Sequence, residues 1–131
     1  MGKIKEYAEC GGRIFAECGG FMYLCSEIDG NPMCGVFPFK ATMAEARLHL
    51  GYRMLYTEPK DKPNGISLKG HEFHYSDIKE TNAHGIRKIG CQYSAKGTKV
   101  NTALYQYKKV IAGYTHWYWA ETGFPLFLFN E

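Results

Sequence analysis

Residues 13–28 constrain this chain more than any other stretch. Arg13-Ile14-Phe15-Ala16-Glu17 is a brief apolar run with the length of a buried strand, and it stops at Cys18-Gly19-Gly20. Phe21, Met22, Leu24, Cys25 and Ile28 then recur at helical spacing until Asp29-Gly30-Asn31-Pro32 breaks the pattern. A strand passing into a helix across Cys-Gly-Gly leaves no residues for a loop. Cys18 is therefore expected on a sharp turn at the carboxyl edge of a sheet, where the next backbone N–H faces the same space. Such a turn suits a nucleophile. Gly19 and Gly20 permit the tight backbone, the Gly19 N–H can donate to an oxyanion, and the helix dipole is expected to lower the thiol pKa. The competing reading is a buried structural cysteine at a strand end.

The rest of the chain is organised around this element. Residues 3–10 suit a short helix ended by Gly11-Gly12. From Met33 onward, Pro and Gly punctuate short Val-, Ile-, Thr-, Tyr- and Phe-rich segments, which predicts strands over 35–39, 51–57, 71–76, 89–93, 103–107 and 110–117. Val110-Ile111-Ala112 reads as a strand buried on both faces. Residues 58–65 form a polar, breaker-rich surface loop, and the apolar 123–131 segment should pack back on the core or run into something further. Ala8-Glu9-Cys10-Gly11-Gly12 echoes Ala16-Glu17-Cys18-Gly19-Gly20 once, too few times for a repeat fold, and Cys10 lacks a strand before it and a helix after it.

Several function classes are excluded by size and charge. The 131 residues make one domain, too small for a multi-step synthetase. A net charge of +3 from 16 basic and 13 acidic residues does not argue for nucleic acid. No apolar run is long enough for a bilayer and no signal peptide is visible, which predicts a cytoplasmic protein without membrane contact. Five cysteines with no C-x-x-C pair argue against a disulfide scaffold or closed zinc site.

A thiol nucleophile needs a base. His84 lies in a polar turn and His49 in an amphipathic stretch; the first reads as solvated and the second as structural. His71 and His74 are three apart and so face opposite sides of a strand. His116 follows the last clear strand, where it can meet a nucleophile presented from another strand end. Trp117, Tyr118 and Trp119 are expected to pack in the core or against a portion of the domain outside this chain rather than to bind a macrocycle.

Several strings, in order, carry a resemblance: Ala16-Glu17-Cys18-Gly19-Gly20-Phe21-Met22-Tyr23-Leu24, Met33-Cys34-Gly35-Val36-Phe37-Pro38, Leu50-Gly51-Tyr52-Arg53, Gly70-His71-Glu72-Phe73-His74-Tyr75-Ser76 and Ala112-Gly113-Tyr114-Thr115-His116. From residue 7 to about 120 the chain resembles the second half of the glutamine amidotransferase domain of the cobyrinic acid a,c-diamide synthase family. The resemblance implies an α/β, flavodoxin-like three-layer sandwich of class I type, incomplete here and strand-rich in its C-terminal part. Residues 1–131 would be a single partial domain, with the nucleophile elbow at 13–28 and a strand-rich remainder at 33–120.

In that family the cysteine attacks the side-chain amide of glutamine and a late histidine serves as its base. These roles fall on Cys18 and His116, with Gly19 and Gly20 at the oxyanion and substrate. Glu72 and His74 are expected to shape the site from behind rather than touch substrate. Many class I relatives carry a carboxylate two residues after the histidine; this chain has Tyr118 there and Glu121 as the nearest downstream carboxylate, so the third triad member stays unassigned. No metal site is implied. Ammonia would pass to an ATP- and magnesium-dependent synthetase domain that binds the tetrapyrrole, cobyrinic acid, but this chain has no G-x-x-x-x-G-K-[ST]. The Gly-rich loop that supplies the other oxyanion donor is also expected to lie outside it, a loss of about 10²–10³ in rate. A homodimer stays open, as do a non-catalytic module and the amidotransferase part of cobyric acid synthase or of a nickel-tetrapyrrole a,c-diamide synthase.

Overall fold

The computed structural model describes residues 2–44, 47–57, 67–81 and 85–118. Helix α1 (Gly2–Glu9) is closed by Gly11 at φ 90°, a left-handed position that favours glycine. Strand β1 (Ile14–Glu17) leads through Cys18 into α2 (Gly19–Leu24). Then follow β2 (Glu27–Ile28), β3 (Asn31–Pro32), β4 (Lys40–Thr42), β5 (His49–Tyr56), β6 (Ser67–His74), β7 (Asp77–Lys79), β8 (Ile86–Lys88), β9 (Cys91–Ser94), β10 (Leu104–Tyr107), β11 (Val110–Gly113) and β12 (His116–Trp117). None of the described helices is long and apolar enough to cross a membrane.

The described strands form three sheets, ordered β1-β11-β10-β8, β12-β6-β5-β9 and β3-β2-β4-β7. In the first, β1 runs parallel to β11 with Ile14 opposite Val110 and Glu17 opposite Gly113. A parallel pair needs apolar cover on both faces. Val110 and Ala112 join Phe21, Phe37, Phe39, Tyr105 and Tyr114 in one cluster, with Ile14 and Ala16 against it. Ile111 joins Leu55, Leu68, Ile89, Leu104 and Trp117 in another, with Phe15 against it. The two-faced burial read from Val110-Ile111-Ala112 is present: all three are fully buried. Phe21, from α2, centres the first cluster; its ring lies 5.5 Å from Tyr105 and meets Phe37 and Tyr114 edge-on at 5.9 and 5.4 Å. Helix α2 is thereby pinned against the sheet.

Three expectations need correction. Helix α2 ends at Leu24 instead of Ile28, because Glu27 and Ile28 pair with Pro32 and Asn31 in a hairpin whose turn residues, Asp29 and Gly30, have φ 46° and 84°. Residues 35–39 are not a strand: the N–H groups of Cys34, Gly35 and Phe37 bond to the Tyr23, Cys25 and Leu24 carbonyls at the end of α2, so Val36, Phe37 and Phe39 are buried by an irregular segment. The strand expected over 110–117 divides at Tyr114-Thr115, and its second piece joins a different sheet. Of the three late aromatics, Trp117 is buried but Tyr118 is exposed. Trp119, Glu121, His84, the loop 58–65 and the segment 123–131 lie outside the described residues.

Strand β12 is two residues long and depends on a close approach to β6. A Cβ on Gly70 would lie 2.3 Å from the His116 carbonyl oxygen and 2.9 Å from Thr115 and Trp117 side-chain carbons. Gly70→Ala therefore forces β12 away. Urea unfolding of this variant should show a loss of about 1–3 kcal/mol, the usual range for overpacking; unchanged stability would mean that β12 does not sit where it is described.

Candidate functional site

The elbow is strained at one residue. Cys18 adopts φ 52° and ψ −110°, outside the left-handed helical well as well as the ordinary regions, a conformation costing about 1–3 kcal/mol. Two backbone hydrogen bonds hold it: the Cys18 N–H donates to the Gly113 carbonyl at 2.8 Å, and the Cys18 carbonyl accepts from Met22 at 3.1 Å. The side chain makes no cap bond and projects half-exposed, with the thiol 3.9 Å from the Phe73 carbonyl oxygen. A Cβ on Gly19 would meet nothing within 4 Å, while one on Gly20 would touch Ala16 Cβ at 3.4 Å. Gly19 thus borders open space and Gly20 keeps the helix close to the strand.

The expected lowering of the thiol pKa is not found. Burial pushes the Cys18 thiol up, the Gly19 N–H opposes this, and the charges of Glu17 and Glu72 push it further up. At neutral pH the resting group is the thiol, so nucleophilic chemistry here depends on a base.

His116 opens β12 and is paired with His71 of β6, and the two imidazoles stack at 5.3 Å and 23°. The Cys18 sulfur borders Phe73 and His116 is opposite His71, positions two residues apart on β6 and so roughly 7 Å along the strand. One short stretch of β6 is flanked by both. Tyr118 tilts over the His71 ring at 5.8 Å. The Trp117 N–H donates to Glu17 Oε2 at 2.6 Å, joining the residue after His116 to the residue before Cys18.

Glu72 and His74 lie on the buried face of β6, opposite to His71, as the odd offset implied. Glu72 accepts from Arg53 Nε at 2.7 Å and from Thr102 Oγ1 at 2.8 Å, and lies 2.7 Å from His74 Nε2. His74 Nδ1 is 2.9 Å from the Ser76 carbonyl oxygen. Its ring stacks on Tyr114 at 3.6 Å, and the Tyr114 hydroxyl meets Ser76 Oγ at 2.8 Å. Tyr114 belongs to the two-residue step between β11 and β12, so the network fixes the segment that carries His116 from behind. His49, read as structural, stacks on His74 at 4.7 Å; its Nε2 lies 2.8 Å from Asp77 Oδ1 but off the axis of a hydrogen bond.

Residue-level reading missed Glu17, His71 and Arg53. Each stood in a quoted string, but their contacts join elements far apart in sequence, which periodicity does not report. Burial alone would push the Glu72 carboxyl up, yet His74, Thr102 and Arg53 hold it down at about 2, against an ordinary 4.5. The sign follows: this stabilisation is complete above about pH 4.5 and is lost as pH falls through about 2. Glu72→Gln should cost on the order of 3 kcal/mol at neutral pH, with the gap to wild type closing as pH is lowered from 5 toward 2. Urea midpoints at several pH values check this; a gap independent of pH contradicts it.

Comparison with known proteins places the geometry in context. Residues 1–124 match the CobB/CobQ-like glutamine amidotransferase domain. The chain is 38% identical over 84 residues to a cobyrinate a,c-diamide synthase of Methanosphaera stadtmanae, covering 62% of this chain and 18% of that protein. It is 36% identical over 126 residues to a cobyrinate a,c-diamide synthase of Syntrophotalea carbinolica, covering 89% of this chain and 27% of that protein. With a hydrogenobyrinate a,c-diamide synthase of Streptomyces coelicolor the identity is 44% over 73 residues, covering 54% of this chain and 15% of that protein. The match thus spans only a minor part of each relative's length. This chain belongs to the CobB/CobQ-like glutamine amidotransferase domain family.

Proposed function

We propose that the chain is the glutamine-hydrolysing part of an a,c-diamide synthase acting on a cobyrinate-type tetrapyrrole in cobalamin biosynthesis, in the cytoplasm. The observation that carries this reading is the backbone of Cys18, held at φ 52° and ψ −110° on a strand-to-helix turn with its sulfur free of a cap bond. A non-Gly residue kept in so costly a conformation at a sheet edge marks a functional position more readily than a packing one.

The chemistry follows from the raised thiol pKa. His116 takes the proton from Cys18 Sγ as the sulfur attacks the side-chain carbonyl carbon of glutamine, and the Gly19 N–H donates to the oxygen that becomes negative. The C–N bond breaks, His116 returns the proton to the leaving nitrogen, and ammonia departs, leaving a glutamyl thioester on Cys18. Water adds to the thioester carbonyl, His116 again taking its proton, and glutamate leaves with the thiol restored. Glu72 and His74 act through Tyr114 by holding the His116 segment in place.

The sequence lacks the G-x-x-x-x-G-K-[ST] that would cradle the phosphates of ATP with its magnesium. We assign both, and the tetrapyrrole, to the larger remainder found in the relatives. Those relatives include cobyrinate and hydrogenobyrinate synthases, so the assignment is to the tetrapyrrole class rather than to its metal.

The glutamine analogue 6-diazo-5-oxo-norleucine should alkylate Cys18 alone, and His116→Ala should slow that labelling by about 10²-fold or more, the usual size of a general-base contribution. Mass spectrometry of the labelled peptides reads both. Stoichiometric labelling of Cys10 or Cys25, or none at all, contradicts the assignment and leaves a non-catalytic module.

A further inference from the structure

We infer that Glu17 is a positioning residue whose carboxylate, by accepting the Trp117 N–H, holds the strand carrying His116 against the strand carrying Cys18. This rests on the roles proposed for Cys18 and His116. The Tyr118 N–H faces β6, bonding to the Lys69 carbonyl at 2.9 Å, so the preceding N–H of Trp117 points the other way, off the edge of its sheet. Trp117 is buried, and an N–H left there without a partner would be costly. Glu17 Oε2 satisfies it at 2.6 Å across a sequence separation of 100 residues.

Among the described residues no backbone ladder does this work. Strand β1 pairs with β11 and β12 with β6, so nucleophile and base sit on two different sheets. A two-residue strand such as β12 has little pairing of its own. The Glu17 bond is a polar tie across the gap, alongside the apolar cluster that Trp117 shares with Ile111 and Phe15. The Glu17 charge also works against thiolate formation at Cys18. A residue serving only thiol reactivity would not be acidic here, which leaves the hydrogen bond as the gain.

The test uses the whole chain with Glu17→Ala, Glu17→Gln and Glu17→Asp, read by Trp117 amide hydrogen exchange and by the rate of Cys18 labelling with 6-diazo-5-oxo-norleucine. Iodoacetamide alkylation of Cys18 serves as the undirected control. Glu17→Ala should speed Trp117 exchange and slow analogue labelling by about 10-fold or more each, with iodoacetamide alkylation not slowed. Glu17→Gln, whose amide oxygen still accepts, should stay within about threefold of wild type, while Glu17→Asp, too short to reach, should follow Ala. Analogue labelling of Glu17→Ala and Glu17→Asp at the wild-type rate overturns the positioning role alone. So does Gln failing as badly as Ala, since the charge would then be what matters. Absence of labelling in the wild-type chain overturns the nucleophile assignment, and this role with it.

Discussion

Parallel pairing of β1 with β11 is the constraint on which the rest of the molecule depends. Its register puts Glu17 beside Gly113, so both strands end at one sheet edge, and the Cys18 N–H closes onto the Gly113 carbonyl just beyond the last pair. The turn at Cys18 costs about 1–3 kcal/mol. Val110, Ile111 and Phe21 are fully buried around it, each of the last two worth about 1.5–3 kcal/mol, so the strain is outweighed locally. Parallel strands also need a long crossover. Most of the described chain is that crossover, and β6, which borders Cys18 through Phe73 and pairs with His116 through His71, belongs to it.

The elements written in local pattern were legible. The short helix before Gly11, the β1–Cys18–α2 step and the two-faced burial of β11 each follow from contiguous residues. What the sequence hid depends on partners. Val36, Phe37 and Phe39 look like a strand because they are apolar and β-prone, but their backbone is recruited to the carbonyls at the end of α2. The last apolar segment reads as continuous, although Tyr114 and Thr115 take it from one sheet to another. For the candidate site, Cys18 and His116 stood out at strand ends, and Glu72 and His74 in their motif. The direction of the thiol pKa was not, because a helix N-terminus is visible in sequence while burial and the nearby Glu17 and Glu72 charges are not.

Two carboxylates near the sulfur have different work because their surroundings differ. Glu72 is buried among Arg53, Thr102 and His74, and it stays ionised as the anchor of a network reaching Tyr114. Glu17 lies beside Cys18 and accepts the Trp117 N–H. Both disfavour the thiolate, so the site as built keeps Cys18 protonated until a base acts on it.

The proposed dependence on His116 is tested most directly by following the imidazole nitrogen NMR signals of the five histidines while Cys18 is blocked with iodoacetamide. If the two groups share one site, the His116 signals shift on blocking and the stacked His71 responds with them. A His116 signal indifferent to the state of Cys18 would contradict the pairing of this thiol with this base.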